Sequence, residues 1–433
     1  MRGRRLLAGV TTAAALSAVL TLAWVVPGPL PTHGPGPETS AVAAPPRPEW
    51  STAWAAGPVA DTAGRKTGYP GMTFRNIVHT TIGGPRVRIR LTNRLGTAPV
   101  TFGHVTVALS AYGGGRRDGT LARSDGTAAL GTLREVRFGG LGAITVPVGA
   151  DAVSDPVTLD VPADTDLLIS IWTPEASGLG TYHPTAKQIS YLSPGPADRA
   201  GDPTAAGFRP TGHWYYLSGV EVTAAPGTVV ALGDSITDGG SSGIGLNRRW
   251  PDYLAARLAD SPLPDYGVAN AGISGNRLLL DSRRKSVAGR SAQARFGADV
   301  LERPGARSVV ILLGINDIMI TPQQTDPGQI IAGLAQLCAR ARAQDLRVVV
   351  GTLTPFRGWH LYSPQREGVR QAVNAWIRSG GGGAFDAVAD FDLALRDPAD
   401  PGRLRAEFDG GDHLHPNDAG ELAIANVVPL EQL

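Results

Sequence analysis

Cysteine is almost absent. Cys338 is the only one in 433 residues, so no disulfide can form within the chain. It sits in IIAGLAQLCARARAQ, where Ile330, Ile331, Leu334, Leu337, Cys338 and Ala341 recur at helical spacing. A buried, inert thiol is expected there, not a nucleophile. Lysine is nearly missing too, with Lys66, Lys187 and Lys285 alone. The other cations are arginines, a skew expected of a GC-rich genome more than of a phosphate-binding surface. Neither sign of charge dominates. A net charge of +2 gives no electrostatic footing for nucleic acid, and none is expected as a partner. The glycines at 239–245 do not spell G-x-G-x-x-G, which argues against a dinucleotide site, and no cofactor is expected.

The first fifty residues read as targeting sequence and spacer. MRGRR is a positive n-region, Leu6 to Val26 is apolar and uncharged, and PGPLPTHGPGPETSAVAAPPRP cannot pack as a helix. Ala41-Val42-Ala43 has the small-x-small form of a signal peptidase site. The expectation is a signal peptide over 1–43, a Pro-rich linker over 44–49, and a secreted protein without stable membrane association. An uncleaved anchor competes with it, because ~20 apolar residues can span a bilayer. No second segment approaches that length.

Two halves follow, with different periodicities. Residues 50–225 alternate with period two: RVRIRLT sets Val87, Ile89 and Leu91 on one face and Arg86, Arg88 and Arg90 on the other. Similar runs cover Val105–Leu109, Ala143–Val148, Val157–Val161, Leu167–Trp172 and Trp214–Val222, punctuated by turn residues. An all-β sandwich, jelly-roll-like, is expected. Its aromatics, Trp50, Trp54, Trp172, Tyr182, Trp214, Tyr215 and Tyr216, either stack on sugar rings or fill the core. Residues 226–433 alternate strand and helix. Strands are expected at Val229–Leu232, Tyr266–Asn270, Ser308–Leu313, Arg347–Leu353 and near Ala387–Phe391. Helices are expected at Trp250–Leu258, Ser291–Leu301, Pro327–Gln344 and Pro364–Arg378. This pattern predicts an α/β fold, a three-layer α/β/α domain on a parallel sheet.

In VVALGDSITDGG an apolar strand stops at Gly233-Asp234-Ser235, the sheet edge where α/β folds bind ligands. Turn chemistry alone also accounts for Gly-Asp-Ser. Later strands end in Asn270-Ala271-Gly272-Ile273-Ser274-Gly275-Asn276 and Gly314-Ile315-Asn316-Asp317, and Asp412-His413-Leu414-His415-Pro416 stands near the end. Loops at one edge of a parallel sheet converge, so these segments can meet. Together they supply acyl transfer: Ser235 as nucleophile, His415 as its base, and Asp412 to fix the imidazole tautomer. The Ser235 N–H, the Gly275 N–H and the Asn316 amide are candidate oxyanion donors. Asp409, Asp412, His413 and His415 also read as metal ligands, but no second cluster of suitable spacing accompanies them, and no metal is expected. Gly-x-Ser-x-Gly is absent, so the nucleophile elbow of α/β-hydrolases does not fit.

The joint pattern carries a resemblance. Gly233-Asp234-Ser235-Ile236 resembles the first block of the GDSL, or SGNH, hydrolase family, and Ser274-Gly275-Asn276 its second. Gly314-Ile315-Asn316-Asp317 and Asp412-His413-Leu414-His415-Pro416 resemble the third and last, in family order across Val229–Leu433. The resemblance implies an SGNH-type, flavodoxin-like domain without cofactor. It also implies a Ser235–His415–Asp412 triad and an oxyanion hole of Ser235, Gly275 and Asn316. Residue 413 is a second histidine, but spacing from the aspartate favours His415. RNIVHTTIGGPRVRIRLTNRLGTAPVTFGHVTVALS resembles the region ahead of the catalytic blocks in a secreted subgroup likened to xylanolytic arylesterases. That resemblance implies short acyl esters, acetyl foremost, on small molecules or polysaccharides. The alternatives are a lipase or phospholipase, transfer to another alcohol, and a carbohydrate-binding protein that has lost activity.

Overall fold

Strand Thr228–Gly233 is buried along its whole length, as its unbroken apolar run requires. It pairs in parallel with Gly267–Gly272 on one side and Ala306–Leu312 on the other, setting Val230 opposite both Ala269 and Val309. Arg347–Gly351 and Ala387–Ala389 extend the sheet beyond Ala306–Leu312, also in parallel. The order across the sheet, numbered along the chain, is 2-1-3-4-5. That is the flavodoxin-like order, whose crevice opens beyond the carboxyl ends of the first and third strands. The computed structural model describes residues 49–62, 64, 66–112, 124–283 and 287–433. The expected signal segment, 1–43, and the spacer to residue 48 lie outside the described residues.

Helices cover this sheet in two groups. Trp250–Ala259 packs against Asp418–Asn426, which also touches Phe391–Leu395; Pro327–Arg342 packs against Pro364–Arg378 and Ala292–Phe296. Pro327–Arg342 starts where its sequence says: Asp326 caps the Gly328 N–H and Pro327 opens the first turn. Its inner face buries Ile330, Leu334, Leu337, Cys338 and Ala341. Burial pushes the Cys338 thiol up to about 12, so it is inert at neutral pH. Helix Ser291–Leu301 was expected as one piece. It is a short α-helix to Phe296 followed by a π turn over Gly297–Leu301.

The N-terminal half is antiparallel. One sheet runs Trp50–Ala55, Leu217–Thr223, Gly84–Thr92, Val157–Val161, with Asp151–Val153 also against Gly84–Thr92. The other runs Arg209–Thr211, Ser190–Ser193, Met72–Thr80, Thr165–Thr173, His104–Leu109, Arg134–Glu135. Val87, Ile89 and Leu91 are fully buried between them. On the opposite face Arg88 and Arg90 both pair with the buried Glu221.

Strand Trp214–Val222 is broken. Tyr216 adopts φ of 56°, sending Trp214–Tyr215 to a small sheet with Thr181–His183 and Val59–Ala60 while Leu217–Thr223 stays in the large one. The period-two alternation expected over Trp214–Val222 breaks at Tyr216 for this reason, and Trp214, Tyr215 and Tyr216 are all buried. Trp50, Trp54 and Tyr182 are buried as well, so six of the seven named aromatics are withdrawn from solvent and offer no sugar-stacking face. Trp172 is half-buried.

Arg47–Leu433 forms one compact unit. The Thr52 N–H donates to Thr228 Oγ1 at 2.8 Å, the Val268 N–H to Thr81 Oγ1 at 2.9 Å, and Arg303 to the Ser218 carbonyl at 2.8 Å. Ala55 belongs to the core of the parallel sheet, and Ile273 to that of the sandwich.

Candidate active site

The turn after Thr228–Gly233 is set by its own side chains. Asp234 accepts from the Ile236 N–H at 3.1 Å, capping a single helical turn, Ser235–Asp238, that ends at Gly239. Ser235 is thereby half-exposed at the carboxyl edge of the sheet. His415 meets it from 180 residues away, with 2.8 Å between Nε2 and the serine Oγ. The other ring nitrogen, Nδ1, lies 2.7 Å from Asp412 Oδ2. Asp412 Oδ1 accepts the backbone N–H groups of Leu414 and His415 at 3.0 and 2.9 Å. Burial pushes the Asp412 carboxyl up, but the His415 ring and those N–H groups outweigh it and hold it below the usual carboxylate range. The ring thus presents Nδ1–H to a carboxylate and its free Nε2 to the hydroxyl, which is what deprotonating a serine requires.

Gly275 and Asn316 line the same cleft. The turn Ile273–Asn276 closes with the Asn276 N–H on the Ile273 carbonyl at 3.0 Å, and Gly275 sits in it with φ of 75°, a conformation that favours glycine. Among the described residues neither the Gly275 N–H nor the Ser235 N–H has a protein acceptor. Asn316 Nδ2 donates to the Asn276 carbonyl at 3.1 Å, which uses one amide hydrogen and leaves the second. Asp317, fully buried, accepts the N–H groups of Leu278 and Leu279 at 2.7 and 3.0 Å and so ties this loop to the short helix Ile315–Met319 that carries Asn316. His413 points elsewhere: its exposed ring bonds Asp409 at 2.5 Å. Asp409, Asp412, His413 and His415 therefore form two separate pairs, and among the described residues no three such side chains converge as metal ligands.

The structure brings together all five residues singled out in the sequence. It adds others that sequence reading passed over. Arg295 is buried and donates to the carbonyls of Gly233 and Ala271 at 3.0 and 2.7 Å and to Asn276 Oδ1 at 3.0 Å. Its i,i+4 partner Asp299 was the visible signal, but that spacing suits a surface pair equally well. The cleft, about 550 Å³, takes Trp359, Met319, Ile320, Leu361 and Leu414 from one apolar cluster. The Trp359 ring stands edge-on to His415 with centroids 5.9 Å apart. Thr185, Ser241, Ser274 and His360 supply polar lining.

Asp234 itself carries a pH prediction. Burial lifts its carboxyl to about 7 against the N-cap bond from Ile236, and Oδ2 has no hydrogen-bond partner among the described residues. In the unfolded chain an aspartate titrates near ~3.9. Between those values the folded state holds a proton that the unfolded state lacks, so stability falls as pH rises through the window. Asp234→Asn is expected to remove that slope. Its melting temperature should exceed the wild type's at about pH 8 and approach it at about pH 4, by calorimetry. Equal melting temperatures at the higher pH would refute the assignment.

Residues 231–423 match the model of the GDSL-like lipase/acylhydrolase family. No curated protein matches the chain. Similar solved structures include Axe2, an acetylxylan esterase from Geobacillus stearothermophilus, at 21% identity over 47% of this chain and 92% of that one, with a TM-score of 0.36. A GDSL-like lipase from Bacteroides thetaiotaomicron is 19% identical over 46% of this chain and 84% of its own, with a TM-score of 0.36. LAE5, an alpha/beta hydrolase enzyme from the metagenome of Lake Arreo, is 23% identical over 47% and 94%, with a TM-score of 0.35.

Proposed function

We propose that this protein, whose residues 231–423 match the model of the GDSL-like lipase/acylhydrolase family, is a secreted serine esterase that cleaves short acyl esters through an acyl-enzyme on Ser235. The observation that carries the reading is the continuous chain Asp412–His415–Ser235, at 2.7 and 2.8 Å, opening into a cleft with unused N–H donors. His415 Nε2 takes the hydroxyl proton as Oγ attacks the ester carbonyl. Asp412 stabilises the imidazolium that results. The oxyanion is received by the N–H groups of Ser235 and Gly275 and by the second amide hydrogen of Asn316. Collapse expels the alcohol, protonated by His415, and water then repeats the sequence on the acyl-serine.

Cleft chemistry supports the substrate class. The contiguous apolar lining around Trp359 suits an acyl chain, while the hydroxyl-bearing residues suit a polar alcohol such as a sugar. The apolar N-terminal run behind MRGRR supports export. The test is release of p-nitrophenol from acetate through decanoate esters. Serine-dependent turnover highest on acetate supports the reading, and a preference for long chains moves it to lipids. Asn316→Ala is expected to lower kcat by ~10²–10³-fold, the usual cost of one oxyanion donor, with KM little changed. A variant with unaltered kcat would remove Asn316 from the mechanism.

A further inference from the structure

Several of the polar contacts that hold the catalytic loops come from the sandwich, and they come from one strap, Thr181–Gln188. His183 is buried within it. Its Nδ1 lies 2.8 Å from the Gly57 carbonyl, and its Nε2 lies 3.0 Å from Asp238 Oδ1 and 3.2 Å from the Thr185 carbonyl. All three partners are acceptors, so both ring nitrogens donate and the ring is an imidazolium paired with a buried carboxylate. The Trp214 ring rests against it at 5.3 Å. Asp238 uses its other oxygen on the next loop: Oδ2 accepts the Ser274 N–H at 3.0 Å and the Ser274 hydroxyl at 2.6 Å. The following residue is Gly275.

A second thread starts four residues further on. Lys187 Nζ donates to the carbonyls of Gly240 and Ser242 at 2.7 and 3.0 Å, and its own carbonyl accepts the Gly245 N–H at 2.8 Å. Gly240 passes so close to His415 that a Cβ there would stand 2.9 Å from ring atom Cδ2. Thr185, between the two threads, lines the cleft itself.

We propose that His183 and Lys187 are positioning residues for ester cleavage, His183 aiming the Gly275 oxyanion donor through Asp238 and Ser274, and Lys187 seating His415 through Gly240. This inference rests on the hydrolase reading above. Donors and bases must be held within ~0.5 Å of their productive places to count in the transition state. A charged pair whose second oxygen holds the turn is a stiff way to do so. Without His183 the Asp238 carboxylate is buried unpaired, and the turn loses its anchor. The sandwich thus completes the active site, although no residue of it touches the reacting atoms.

The test uses the full chain. For His183→Ala, kcat on p-nitrophenyl acetate is expected to fall ~10²-fold with KM within about twofold, because the lost contact matters to the oxyanion and not to ground-state binding. Ser235 labelling by a fluorophosphonate, which places an anionic oxygen in the same hole, should slow in parallel. His183→Ala and Ser274→Ala should be strongly non-additive, since both cut one thread. Lys187→Met should lower kcat and leave KM unchanged. A merely structural role predicts losses that follow the folded fraction, and that result overturns the inference, as do additive effects or a change in KM alone. If His183→Ala does not fold, Ser274→Ala decides, since it removes only a hydroxyl: slower labelling supports the thread and an unchanged rate overturns it. A wild type that neither turns over ester nor takes the label ends the hydrolase reading and this one with it. An active wild type matched by His183→Ala ends this one alone.

Discussion

Ser235→Ala is expected to lose about 10⁶-fold in kcat on p-nitrophenyl acetate while its melting temperature stays with the wild type's. The size of the loss follows from what the hydroxyl does. In the proposed mechanism His415 and Asp412 act only through it, so removing the oxygen silences the whole chain of 2.8 and 2.7 Å contacts at once. Residual turnover comes from water held against the oxyanion donors. For the same reason His415→Ala on top of Ser235→Ala should cost nothing further. The fold is indifferent because Ser235 is half-exposed and its hydroxyl caps no backbone group. Steady-state kinetics and a thermal melt on the same preparations decide it. Substantial turnover by Ser235→Ala would put the chemistry elsewhere.

Arg295→Met carries the largest stability effect. The guanidinium lies under the site and gathers the carbonyl ends of two parallel strands, Gly233 and Ala271, together with the Asn276 side chain and Asp299. Methionine fills much of the volume but donates nothing. The Asn276 amide oxygen is then buried unpaired, the Gly233 carbonyl keeps only the Ile273 N–H at 3.2 Å, the Ala271 carbonyl loses its guanidinium bond, and Asp299 keeps only Arg94 and Arg303 as ion-pair partners. Breaking such a buried pair typically costs ~3–5 kcal/mol, and urea unfolding followed by tryptophan fluorescence should show it. A loss under about 1 kcal/mol, the value of a surface pair, would mean that water enters the site and satisfies those groups.

The parallel sheet was legible because its strands are buried on both faces, so their sequences are plain apolar runs ending in glycine or asparagine turns. The candidate site was legible for a related reason: each of its residues sits just after such a run or in the Asp-x-x-His close to the end. The sandwich was harder. Met72–Thr80 lies inside a sheet and is buried, yet it carries Arg75, Asn76 and His79, so its pattern reads as mixed. Each is satisfied at long range: Arg75 by the Gly126 carbonyl and Ser170, Asn76 by the backbone of Tyr215, and His79 by Asp164 and Asp166. No local window contains those partners. The same holds for His183, a lone histidine in THR-TYR-HIS-PRO context whose meaning depends on Asp238, 55 residues away. Tyr216 shows the limit from the other side: the alternation around it is good, and a single positive φ overrides it.

Strand Trp50–Ala55 is made long before most of what it touches. Thr52 bonds Thr228, 176 residues downstream, and the strand's sheet partner is Leu217–Thr223. At ~5–20 residues per second, the ribosome needs about 10–35 s to cover that distance. For most of that interval the strand Gly84–Thr92, apolar on one face, also waits for Leu217–Thr223, which lies between the two in the finished sheet. Until it arrives, both strands present unpaired edges, the feature by which incomplete sheets aggregate.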